Sequence, residues 1–74
     1  MYSNLTEDTI RHKYLPYATL YLAETHSFDL GLLDRVTLDT LVEEVLASMK
    51  KTGAYGEMNF TDLLAKKLMV MGYF

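Results

Sequence analysis

The side chains able to do covalent or acid–base chemistry are few. The chain has two histidines, His12 and His26, and no cysteine. Its serines are Ser3, Ser27 and Ser48, and none lies in the Gly-x-Ser-x-Gly setting that exposes a nucleophile on a sharp turn. His26, Ser27 and Asp29 form a suggestive cluster in sequence. A triad, however, is defined by geometry in space, and close neighbours seldom form one. The expectation is therefore a polar loop after a helix. His12, between Arg11 and Lys13, reads as a solvated helix face.

The acidic residues fare no better as ligands. Asp29, Asp34 and Asp39 stand five apart, without calcium-loop spacing. Glu43 and Glu44 are adjacent and so diverge by about 100° on a helix. Two histidines without cysteine make a poor zinc set, since structural zinc nearly always takes thiolates. The glycines between Thr52 and Gly56 lack the Lys-Ser/Thr ending of a phosphate loop. No catalytic residue, metal or cofactor is assigned on this basis, and the expectation is a protein that is not an enzyme.

What remains are side chains suited to interfaces. There are six tyrosines in 74 residues. Tyr14, Tyr17 and Tyr21 fall at i, i+3 and i+7, on one side of a helix. Tyrosine joins an apolar body to a hydroxyl that seeks water or a polar partner, so it is enriched where surfaces meet. The same spacing also suits a core stripe whose hydroxyls reach solvent. Met49, Met58, Met69 and Met71 are flexible gap-fillers, common in cores and also on adaptable binding surfaces. Tyr73 and Phe74 end the sequence as an apolar tail, which must dock on its own fold, a second subunit or a partner. Charge is uneven about a net −3. Residues 27–49 set Arg35 against Asp29, Asp34, Asp39, Glu43 and Glu44, whereas Lys50, Lys51, Lys66 and Lys67 make the last third basic. The two parts can neutralise each other within one fold. Alternatively this acidic stretch faces a basic partner, with Asp39, Glu43 and Glu44 in contact, or Asp29, Asp34, Asp39, Glu43 and Glu44 form a row that mimics nucleic acid toward a DNA- or RNA-binding protein.

The elements that must position these residues are helices. Leu38, Leu41, Val42, Val45, Leu46 and Met49 keep a 3.6-residue period and predict a helix over 38–51. Thr37 is its expected cap, Val36 and Leu41 its staple, and Gly53 its stop. Phe60, Leu63, Leu64, Leu68 and Met71 predict a second helix over 60–71, capped by Asn59, stapled by Met58 and Leu63, and closed by Gly72. Met69 and Val70 are expected to widen its buried face, and a strand over 67–74 is the alternative. Toward the N-terminus, Thr6 reads as a cap with Leu5 and Ile10 as staple. Helical spacing then runs from Ile10 through Leu22 across Pro16, which removes a hydrogen bond and clashes with the carbonyl four residues back. A kink or break at Pro16 is expected, with helix resuming to about Glu24. The segment 25–36 reads as a connector anchored by Phe28, Leu30, Leu32 and Leu33. The fold class is thus mainly α: one small helical bundle over 1–74 with three to four helices.

A chain of this length buries only about 60% of its unfolded surface and usually needs a staple. Disulfides are excluded by composition. Counted with glycine and without tyrosine, the apolar share is about 47%, ordinary for larger proteins that hide more of it. Self-association, as a homodimer, is the expected remedy. No apolar run approaches a membrane span and no signal-peptide pattern is present, so the cytoplasm is expected, with no membrane partner. The chain begins at Met1 and is expected to act alone. The reading that fits best is a protein-binding module using Tyr14, Tyr17, Tyr21, Asp39, Glu43, Glu44, Tyr73 and Phe74. Its format is that of small regulators or inhibitors, such as those of phages and plasmids. The rival is a dimeric helical DNA- or RNA-binding regulator. Its basic spots would be Arg11 with Lys13, Lys50 with Lys51, and Lys66 with Lys67. Against it stand a long connection over 52–59 and a reader helix without Arg, Asn or Gln beyond its cap.

Overall fold

The computed structural model describes residues 10–74, position 11 by its backbone alone. Ile10–Tyr14 is a wide π-helical turn, and it runs directly into α1, Leu15–Thr25. Tyr14 itself is helical, at φ −79° and ψ −41°. No non-helical residue therefore separates the two. Pro16, which lacks an N–H to donate to the turn before it, sits where the hydrogen-bond register changes from π to α. The path around Pro16 is a change of helical pitch between Tyr14 and Leu15. The predicted cap at Thr6 and its staple residue Leu5 lie outside the described residues.

Beyond α1 the chain turns at Ser27, which takes a left-handed φ of 53°. The Phe28 amide donates back to Leu22 O at 3.1 Å. Asp29 then caps a 3-10 turn, Leu30–Leu32, its carboxylate accepting from the Gly31 amide at 2.8 Å. Leu30 is buried, and Phe28 and Leu33 pack on the core. Leu32, expected as an anchor, is 77% exposed.

Helix α2 spans Arg35–Thr52, three residues earlier than the hydrophobic stripe begins. Its cap is Asp34, not Thr37: the Asp34 carboxylate accepts from the Thr37 amide at 3.2 Å and from the Thr37 hydroxyl at 2.6 Å. The hydroxyl of Thr37, together with its amide, holds the Asp34 carboxyl below its ordinary pKa. Val36 falls inside the first turn and points to solvent, so it cannot staple to Leu41. Leu41, Val42, Val45 and Met49 are buried, with Leu38 and Leu46 at the edge. Gly53 stops the helix in the left-handed region at φ 74° and donates to Met49 O at 2.8 Å.

Helix α3 spans Glu57–Met71, again three residues longer at its start than predicted. Its cap position is Gly56, at φ 117°. Asn59 lies within the helix, and its Nδ2 donates to Ala54 O at 2.8 Å, tying α3 to the turn before it. Met58 faces solvent instead of stapling to Leu63. At the far end the Tyr73 amide donates to Leu68 O and the Gly72 amide to Met69 O, which is the Schellman arrangement. Residues 67–71 are therefore helical, not a strand. Met69 and Val70 lie on the outside, against expectation, because a single ridge of α3 is buried: Phe60, Thr61, Leu64 and Leu68. Thr61 satisfies its hydroxyl on Glu57 O at 2.8 Å.

The architecture is mainly α, with three α-helices and no strand among the described residues. Most contact between elements passes through α3, which packs on α1, on α2 and on the π-turn. Leu64, fully buried on that ridge, should cost about 2–5 kcal/mol of stability when cut to Ala. Leu46, only partly covered, should cost less. Denaturant unfolding of both variants checks the order; an equal loss would place Leu46 in the core.

Candidate functional site

Among the described residues, His26, Ser27 and Asp29 do not form a triad. No hydrogen bond joins His26, Ser27 and Asp29. Asp29 is committed to its turn, and the His26 ring stacks on Phe74 with centroids 4.4 Å apart. Among the described residues no group of three metal-ligating side chains comes together. No buried side-chain nitrogen or oxygen there lacks a partner. No helix among these residues is long and apolar enough to cross a membrane.

The tyrosine stripe divides. Tyr14 turns inward and meets the Phe60 ring at 5.7 Å, packing on the core. Tyr17 and Tyr21 stay together one turn apart, their rings nearly parallel at 6.3 Å. They form one wall of an open groove of about 390 Å³ between α1 and α3. The other wall is a row of α3: Met58, Asp62 and Ala65, with Asn59 and Thr61 beside them. His26 closes one end. Tyr21 is 39% exposed and Met58 69%, so both present apolar surface to solvent. The polar groups are placed unequally. Asn59 spends its amino group on Ala54 O, which leaves its carbonyl oxygen as an acceptor. Asp62 meets Lys66 at 3.3 Å in an exposed pair of the kind that contributes little.

The sequence pattern marks Tyr17, Tyr21 and Met58 but not Asn59, Asp62 or Ala65. The signal was available in part. Met58, Asp62 and Ala65 stand at i, i+4 and i+7, but the row becomes visible only once α3 is known to begin at Glu57.

The acidic residues are partly neutralised within the fold. Glu44 reaches Lys67 on α3 at 3.3 Å. Asp39 pairs with Arg35 at 3.8 Å. Glu43 is exposed and makes no ion pair among the described residues. The tail residues dock on their own chain: Phe74 stacks on His26 and lies 5.4 Å from the Phe28 ring, while Tyr73 meets Phe28 edge-on at 5.6 Å. Tyr73 nevertheless keeps much of its surface exposed. The connection between α2 and α3 is only residues 53–56, not 52–59. Its length therefore suits a helix-turn-helix. The first turns of α3 carry Glu57 and Asp62, which are poor groups to bring to phosphate.

No family model matches the chain, and no curated protein or solved structure matches it either.

The divided stripe yields a direct contrast. Tyr14→Ala should lower stability by about 1–3 kcal/mol, and Tyr21→Ala should change it by no more than about 0.5 kcal/mol. Thermal melts of the two variants decide. A Tyr21→Ala loss as large as that of Tyr14→Ala would move the whole stripe into the core.

Proposed function

We propose that this chain is a non-catalytic protein-binding module, a small cytoplasmic regulator or inhibitor that engages another protein and also pairs with a second copy of itself. The observation that carries the reading is the stacked Tyr17–Tyr21 pair facing the exposed Met58 across an open groove. A folded domain gains nothing from leaving such side chains uncovered. Aromatic and methionine side chains with a few polar groups at the margin are the composition of an interface core. Asp62 and the free Asn59 carbonyl suit donors on the partner. Glu43 and Tyr73, both exposed, are further candidate contacts away from the groove lining.

One observation favours a second reading. The four-residue turn from α2 to α3 is the length a helix-turn-helix uses, and Lys66 and Lys67 lie on the second helix. In that reading the protein is a dimeric nucleic-acid-binding regulator. The acidic start of α3 and the net charge of −3 weigh against it, because phosphate contact dominates such affinity.

Affinity capture from host lysate separates the two. Tagged wild type and a Tyr17→Ala/Tyr21→Ala variant are compared, each with and without nuclease, and read by mass spectrometry. The expected result is a stoichiometric protein that survives nuclease and is lost with the double variant. Recovery of nucleic acid, with every protein lost after nuclease, would establish the second reading instead.

A further inference from the structure

The geometry points to a self-association face around Val70, covered by a second copy of this chain that lays its α2 over α3 and its α3 over α2. This rests on the self-pairing half of the function proposed above and adds the face, the orientation and the charge rule that fixes it. The face is not the tyrosine groove: it lies on the other side of α3's buried ridge, toward α2.

An open groove of about 360 Å³ runs between α2 and α3 there. Its apolar part is made by Leu41 from α2 and by Leu63, Val70 and Met71 from α3. Val70 is 87% exposed and Met71 51%. A β-branched residue held almost wholly in water at the rim of an apolar groove is surface without a cover.

Charge identifies the cover. The α2 side of the groove carries a carboxylate, Glu44, and the α3 side carries two ammonium groups, Lys66 and Lys67. Glu44 and Lys67 stand opposite each other at 3.3 Å, so acid and base lie at one level of the groove. Two identical faces can meet about a two-fold axis in two ways. An axis across the groove sets α2 on α2 and α3 on α3, so Glu44 meets neither Lys66 nor Lys67 of the other copy. An axis along the groove sets α2 of each copy on α3 of the other. Glu44 of one copy then lies over Lys66 and Lys67 of the second, twice, with the apolar residues closed between. Only the second arrangement pairs these charges across the interface, which makes it the favoured one. Glu44 keeps Lys67 of its own chain at 3.3 Å and gains the lysines of the second copy, while the Asp62–Lys66 pair is well exposed and free to exchange partners.

The area sets the strength. Helices of 18 and 15 residues side by side give a strip about 25 Å long and about 20 Å wide. That is roughly 500 Å² of flat footprint per copy, under the roughly 800 Å² of a standard interface. The interface is therefore below standard size, and the pairing should be reversible.

Sedimentation equilibrium on the whole chain tests this, with circular dichroism confirming that each variant is folded. Wild type should show a monomer–dimer equilibrium. Val70→Glu should weaken it by at least tenfold, and so should Glu44→Lys alone or Lys66→Glu/Lys67→Glu alone. Mixing those last two variants should restore the dimer, because acid again meets base at both contacts. If wild type stays monomeric at every concentration, both the face and self-pairing itself are overturned. If a dimer forms but ignores Val70→Glu and both charge reversals, self-pairing stands and this face is wrong.

Discussion

One buried ridge holds this molecule together: Phe60, Leu64 and Leu68 of α3, inserted between α1 and α2 with no surface left to water. Each such side chain contributes about 1.5–3 kcal/mol by leaving water, and no disulfide shares the work. The ridge is narrow because both neighbouring helices converge on it. The rows of α3 on either side therefore stay at the surface. One row, with Met58, Asp62 and Ala65, becomes a wall of the tyrosine groove. The other, with Leu63, Lys67 and Val70, becomes a wall of the groove shared with α2. Both candidate surfaces follow from how one helix is buried.

The same constraint sorts the tyrosines. Tyr14, nearest the ridge, is drawn onto Phe60, while Tyr17 and Tyr21 turn outward and stack on each other. It also accounts for the tail. The Schellman turn at Gly72 sends the chain back toward α1 and the connector, where His26 and Phe28 receive Phe74.

Much of the fold was legible in the sequence, because a 3.6-residue period survives in any helix with one buried stripe. Leu41, Val42, Val45, Met49, Phe60, Leu64 and Leu68 were all read from that period, and glycine marked both helix ends. The helix starts were misplaced by three residues each. A first turn that carries no core residue, such as Arg35 to Thr37 or Glu57 to Asn59, leaves no trace in a hydrophobic pattern. Asp34 and Gly56 set those starts, one by accepting hydrogen bonds and the other by its backbone freedom. Met69 and Val70 misled for a related reason: apolar type predicts burial only when a neighbour is present to bury against. The candidate site was half legible. A pair on one helix can be read from its spacing, whereas the facing wall depends on where a different helix begins.

The central claim, that α3's ridge is the common support, is tested most directly by native-state hydrogen exchange resolved by residue. The amides of Leu64 and Leu68 should exchange only through global unfolding, with a free energy matching that from denaturant and equal to the slowest amides of α2. Exchange of these α3 amides by local opening, while α1 and α2 remained protected, would contradict the account.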